Sequence, residues 1–193
     1  MDLKTSLPAS PAPNIRIFFL SVFDACFSMN SANNLKESLE PAINKHDMEK
    51  SIIILSGGFD PVHKGHVRMF KDAKAFPAAV AVGLNSDRWL IRKKGKPFMD
   101  WDERKEILDA MSCIDRIHSF NDDDDSACDL IRKVKELYKD SPEVKLYFGN
   151  GGDRTDGNSP EVDYCNENGI ELLWGVGGGK IQSSSDLIKN SKK

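Results

Sequence analysis

The chain has few cysteines and no cluster of them. Cys26, Cys113, Cys128 and Cys165 stand far apart and form no Cys-x-x-Cys pair, so neither a zinc cluster nor a small disulfide scaffold is signalled. They read as reduced, intracellular thiols, acting as small apolar side chains in or near a core. A charge excess is missing too. With 27 Lys and Arg against 30 Asp and Glu, the net charge of -3 gives no global positive field, which argues against a nucleic-acid partner. No apolar run suits a membrane span: Ile15 to Phe27 is interrupted by Arg16, Ser21 and Asp24 and falls short of the ~20 residues required. Nor does that run look like a secretory signal, because Lys4 lies far upstream and Asp24 sits inside it. The expected location is the cytoplasm, with an organellar presequence in residues 1–47 as the alternative.

What is present points to one domain with an extension, since 193 residues suffice for a core without disulfides or metals. Residues 1–47 run from a Pro/Ala/Ser-rich start into polar sequence without sustained periodicity, and read as appended. From Ser51 the pattern changes. Ile52, Ile53, Ile54 and Leu55 form a β-branched run suited to a strand buried on both faces, which is parallel-sheet character. Further apolar runs at Ala78–Leu84, Ile114–Phe120, Val144–Phe148 and Ile170–Trp174 alternate with helical spacing at Gly65–Ala75, Trp101–Met111, Ser126–Lys139, Pro160–Asn168 and Ser184–Asn190. This order predicts an α/β fold over residues 48–193, a Rossmann-like, doubly wound open parallel sheet of about five strands. Ligands of such sheets sit outside the carboxyl ends of the strands.

The loop after the first strand is Gly57-Gly58-Phe59-Asp60-Pro61-Val62-His63-Lys64-Gly65-His66. Paired glycines let a polyanion approach the main chain, and the following helix start offers amides and partial positive charge to phosphate. His63 and His66 can both face that ligand and, as protonated or donor imidazoles, stabilise charge growing on a transferring phosphoryl group.

This loop resembles the signature of the cytidylyltransferase-like nucleotidyltransferases, a superfamily with a His-x-Gly-His motif and a HUP-type fold. The resemblance covers about residues 51–190 and rests on several motifs in order. It implies that His63 and His66 are catalytic and that Gly57, Gly58, Phe59 and Asp60 line the nucleotide. Asn85-Ser86-Asp87 resembles the family's nucleotide-side loop, which makes Asn85 and Asp87 nucleotide-binding candidates. The basic run Arg92, Lys93, Lys94 resembles the loop whose cation reaches the phosphates, with Lys93 assigned to catalysis and Arg92 and Lys94 to binding. Arg104 matches the arginine of a Glu-Gln-Arg segment, although an ion pair across the loop accounts for it equally well. Gly152 and Asp153 resemble the Gly-Gly-Asp of the sugar-phosphate branch. Ser183, Ser184 and Ser185 resemble the closing serine/threonine motif that binds nucleotide phosphates.

One departure is informative: glycerol-phosphate cytidylyltransferases carry an arginine five positions before the first serine, where this chain has Gly178. The approach to the serines is closer to enzymes that activate heptose 1-phosphate. The resemblance therefore implies transfer of a nucleoside monophosphate from CTP or ATP to a phosphorylated sugar or polyol, with Mg2+ accompanying the NTP and pyrophosphate released. A coenzyme adenylyltransferase of the FAD, NAD or CoA type and a non-catalytic nucleotide-binding module are the alternatives. Family members often form homodimers, while composition and periodicity here show no interface. No metal ligand is nominated, and Asp122 to Asp125 read first as the cap of the helix that follows. Because residues 1–47 read as an appendage, their deletion is expected to leave NTP-dependent pyrophosphate release unchanged; loss of that activity in the folded remainder contradicts this reading.

Overall fold

The computed structural model describes residues 50–152, 154–155 and 159–191; the extension over 1–47 and Asp153 lie outside them. Among the described residues eleven elements follow one another: β1 (Ser51–Gly57), α1 (Lys64–Ala75), β2 (Ala79–Leu84), α2 (Asp87–Lys94), α3 (Trp101–Asp109), β3 (Arg116–His118), α4 (Cys128–Leu137), β4 (Lys145–Gly151), α5 (Glu161–Glu167), β5 (Glu171–Val176) and α6 (Ser184–Asn190). All five strands are parallel, in the order β3-β2-β1-β4-β5. Among the described residues no helix is long and apolar enough to cross a membrane.

The continuous apolar run of β1 explains the layering. Ile53 and Leu55 join the buried cluster beneath Phe70 and Ala73 of α1 and Leu108 of α3. Ile52 and Ile54, pointing the other way, pack with Leu130, Ile131 and Val134 of α4 and Cys165 of α5. Each face of the parallel sheet is thus covered by helices, as its two apolar faces require. Strand order reverses between β1 and β4, which opens a crevice at their carboxyl ends.

Two elements depart from the expected pattern. The basic run is not a loop: Arg92, Lys93 and Lys94 form the last turn of α2, where cations complement the helix dipole. Ser86 starts this helix by accepting from the Trp89 amide, and Leu90 is its one buried residue, so no apolar stripe betrays it. The third strand is also shorter than the predicted Ile114–Phe120. Ile114 closes a turn onto the Met111 carbonyl, and the Asp115 carboxylate accepts from the Val80 amide at 2.7 Å and binds Lys74. The Asp115 amide still donates to the Val80 carbonyl at 2.9 Å, so side chain and main chain pair with Val80 together just ahead of the short strand.

The sheet meets α4 closely at Gly83, where a methyl group would stand 2.2 Å from Leu130 Cδ2. Gly83→Ala is therefore expected to lower stability by about 1–3 kcal/mol through overpacking. Urea unfolding checks this, and an unchanged midpoint contradicts the packing described.

Candidate active site

The turn from β1 into α1 is organised by two histidines. His63 is the N-cap, and its Nδ1 accepts from the amides of Gly65 at 3.2 Å and His66 at 3.4 Å. His66 returns the favour from the third helical position, its Nδ1 accepting from the His63 amide at 3.3 Å. The pair is a capping box built from imidazoles. An accepting Nδ1 carries no proton, so each ring presents Nε2–H as its donor. The rings stack with centroids 3.7 Å apart and planes 13° from parallel. Burial, then the neighbouring His63 and Lys94, pushes His66 down to about 3. His63 is also lowered, by burial first and by Lys94 last, against its own backbone hydrogen bond. Both imidazoles are therefore neutral at neutral pH, with the Nε2–H of each ring left as its donor. Phe59 backs them, its ring edge-on to His66 at 4.9 Å.

These rings line a cleft of about 750 Å³, counting its open mouth, at the reversal between β1 and β4. Its other walls are Gly149–Gly152 at the end of β4 and Val176–Ile181 after β5, with Arg154 and Lys180 at its edge. The loop after β5 is pressed onto α1. Gly177 has φ 81° and a Cβ there would lie 2.6 Å from the Met69 backbone, while its amide donates to Asp72 at 2.8 Å. Only glycine fits such a position.

Of the residues singled out from sequence, Gly57, Phe59, His63, His66 and Gly152 meet in this cleft. Others form its frame. Arg104 is fully buried and engages four of its five N–H groups: to the carbonyls of Met99, Gly58 and Asn85, and to the Asp87 carboxylate at 2.6 Å. The structural account of Arg104 is the one that its surroundings fit. Asp87 also accepts from the Trp101 amide. Asp60, buried, accepts from the amides of Phe98 and Met99 at 2.9 Å each. Asn85 donates to buried Asp122 at 3.0 Å. Arg92 bonds the Asp122 carbonyl and pairs with Asp125 at 3.2 Å, and Lys93 lies over Trp89 and 3.7 Å from Asp125. Lys94 donates to the Asp60 carbonyl at 2.7 Å, and burial lowers its pKa. Ser183 caps α6, accepting from the Asp186 amide, and Ser184 donates to the Pro61 carbonyl at 2.9 Å, tying the serine turn and Ser185 to the first loop. Asp153 lies outside the described residues.

The acidic loop does not cap α4, whose N-cap is Ala127 without a side-chain hydrogen bond. Asp122 instead accepts from the amide and hydroxyl of Ser86, each at 2.7 Å, and so fixes the start of α2. Among the described residues no group of three or more His, Cys, Asp or Glu is arranged to hold a metal ion. The sequence reading passed over Asn150 and Arg154. Asn150, 2% exposed, accepts from Arg154 at 3.5 Å through Oδ1. A polar residue ahead of paired glycines at a strand's carboxyl end was the available signal.

The lowered histidine values carry a stability consequence. The unfolded chain protonates His66 as pH falls through its ordinary value of 6.5, whereas the folded chain refuses that proton down to about 3. Stability is therefore full above pH 6.5 and declines below it, by at most ~1.4 kcal/mol per pH unit for this group. Urea unfolding at about pH 7 and about pH 5.5 is expected to show a smaller decline in His66→Asn than in the wild type. Equal declines contradict the neutral assignment.

The cytidylyltransferase-like family model matches residues 54–153, just over half of the chain. The bifunctional protein HldE of Geobacter metallireducens is 34% identical over 143 residues, covering 72% of this chain and 27% of that protein. The bifunctional protein HldE of Syntrophotalea carbinolica is 33% identical over 165 residues, covering 83% of this chain and 31% of that protein. The chain thus spans under a third of the length of either relative. In fold it is similar to a bifunctional NMN adenylyltransferase/ADP ribose pyrophosphatase from Francisella tularensis, with TM-score 0.54 and 16% identity over 73% of this chain and 42% of that one. With the parallel sheet, the histidine turn and the family match in agreement, the chain belongs to the cytidylyltransferase-like family of nucleotidyltransferases.

Proposed function

We propose that this chain transfers a nucleoside monophosphate from ATP or CTP to a phosphorylated sugar of the heptose 1-phosphate kind, releasing pyrophosphate. The observation that carries the proposal is the stacked, neutral pair His63 and His66 at the start of α1, opening on a glycine-walled cleft where the strand order reverses. Donors fixed in advance at that point suit charge that grows on a phosphoryl group during transfer. For a sugar acceptor the support is the paired Gly151-Gly152, the absence of an arginine at Gly178, and the one-third identity to the HldE proteins.

An oxygen of the acceptor phosphate attacks the α-phosphorus in line. A new phosphorus–oxygen bond forms, the bond to the oxygen bridging α and β breaks, and pyrophosphate carries away the electron pair. No covalent enzyme intermediate is required. His63 and His66 donate from Nε2 to the α-phosphate oxygens. Within the basic run Lys94 donates to the Asp60 carbonyl of the histidine turn, while Arg92 and Lys93 pair with the acidic loop, so Lys94 is the cation proposed to reach the phosphates. Ser185, with the amides at the start of α6, binds the outer phosphates. The NTP is taken as its magnesium complex, since the buried carboxylate of Asp122 is engaged by Asn85 and Ser86.

His66→Ala is expected to lower turnover by ~10² to 10³ with the fold retained, the usual cost of one such donor. Pyrophosphate release from ATP or CTP with a panel of sugar 1-phosphates, glycerol 3-phosphate and nicotinate mononucleotide is the measurement. Release confined to a sugar 1-phosphate supports the proposal; release with nicotinate mononucleotide alone moves the acceptor to a coenzyme precursor, and a fully active His66→Ala removes this residue from the mechanism.

A further inference from the structure

Asn150 carries a loose end that the mechanism above does not use. It is 2% exposed and lines the cleft, yet among the described residues its Nδ2 has no hydrogen-bond partner. A buried amide left unpaired costs about 1–3 kcal/mol, so such a donor calls for a ligand atom. Its orientation is fixed from behind. Glu161, itself buried, accepts from the Ala127 amide and the Ser159 hydroxyl, each at 2.7 Å, and stands 3.7 Å from Arg154 Nη1. That same nitrogen donates to Asn150 Oδ1, which leaves the NH2 group as the open half of the amide. The β4–β5 register shifts between Asn150 and Gly151, and irregularities of this kind re-aim side chains at a strand end.

We infer that Asn150 recognises the nucleoside portion of the NTP, its Nδ2 donating to an uncharged acceptor atom of the base or ribose. This rests on the transferase reading above. Most of the wall beside Asn150 is uncharged, Gly149, Gly151 and Gly177 with Val176, Met69 and Ile181; the cation nearest to it, Arg154, is turned to Asn150 Oδ1 and to the Glu161 carboxylate, which offsets its charge. A glycine-walled cleft leaves room for a flat ring and its sugar, and a neutral amide suits a neutral acceptor. Phosphates are drawn instead to the histidine donors and the start of α1. Asn150 is thus a specificity residue for the nucleoside, separate from the phosphate-binding histidines.

Calorimetric titration of the full chain with MgATP, MgCTP and inorganic tripolyphosphate tests this. Asn150→Ala is expected to weaken binding of the preferred nucleotide about tenfold, the loss of one hydrogen bond, and to leave tripolyphosphate affinity unchanged. Asn150→Leu keeps the volume, adds no charge and is expected to show the same selective loss, which carries the measurement if the alanine variant does not fold. A parallel loss for tripolyphosphate overturns the assignment to the nucleoside. Unchanged nucleotide binding in both variants, beside a wild type that releases pyrophosphate, overturns this inference alone. A wild type that binds neither nucleotide overturns the transferase reading with it.

Discussion

The Nδ1 lone pair of His63 faces inward, to the amides of Gly65 and His66, and both the start of α1 and the chemistry of the cleft follow from that orientation. A helix start leaves amides without partners, and serine or aspartate usually supplies the acceptor. Here an imidazole does so, and a second imidazole completes the box. Capping fixes the tautomer, the tautomer leaves Nε2–H as the donor, and stacking at 3.7 Å discourages charge on either ring. The same two side chains therefore serve as structure and as preorganised donors, with no rearrangement needed when phosphate arrives.

Around this turn stands a frame of buried polar bonds. Arg104 joins the loop after β1 to the loop after β2 through the carbonyls of Gly58 and Asn85, and Asp60 ties the first loop to the amides of Phe98 and Met99. Asp122 reaches across from the loop after β3 to fix Asn85 and Ser86. Three strand ends are thus bound to one another through side chains at the carboxyl edge of the sheet. Losing one partner would leave a buried charge uncompensated, which is costly. The far side of the cleft has a different material. Glycines after β4 and β5 let main chain approach main chain, as Gly177 does against Met69.

The sheet was legible because Ile52–Leu55 can be satisfied only between two layers, and because each later apolar run was separated by helical spacing. The strand order needs the parallel crossover rule in addition. The helix α2 escaped because eight residues with three terminal cations and one buried leucine carry no periodic stripe. Motif resemblance located the histidine turn, but it indicated positions in the chain and not directions of side chains. Asp60, Asn85, Asp87 and Arg104 fall where the family pattern puts them, yet their polar groups turn into the frame. For Asn150 the sequence offers only a polar residue ahead of paired glycines, since an unmet hydrogen bond is a property of the folded surroundings.

Nitrogen-15 NMR of histidine-labelled protein at pH 7 tests the central claim most directly, because ring nitrogen shifts separate the two neutral tautomers from the imidazolium. The account predicts neutral rings protonated at Nε2 for both His63 and His66. An imidazolium, or a proton on Nδ1, at either residue would contradict it.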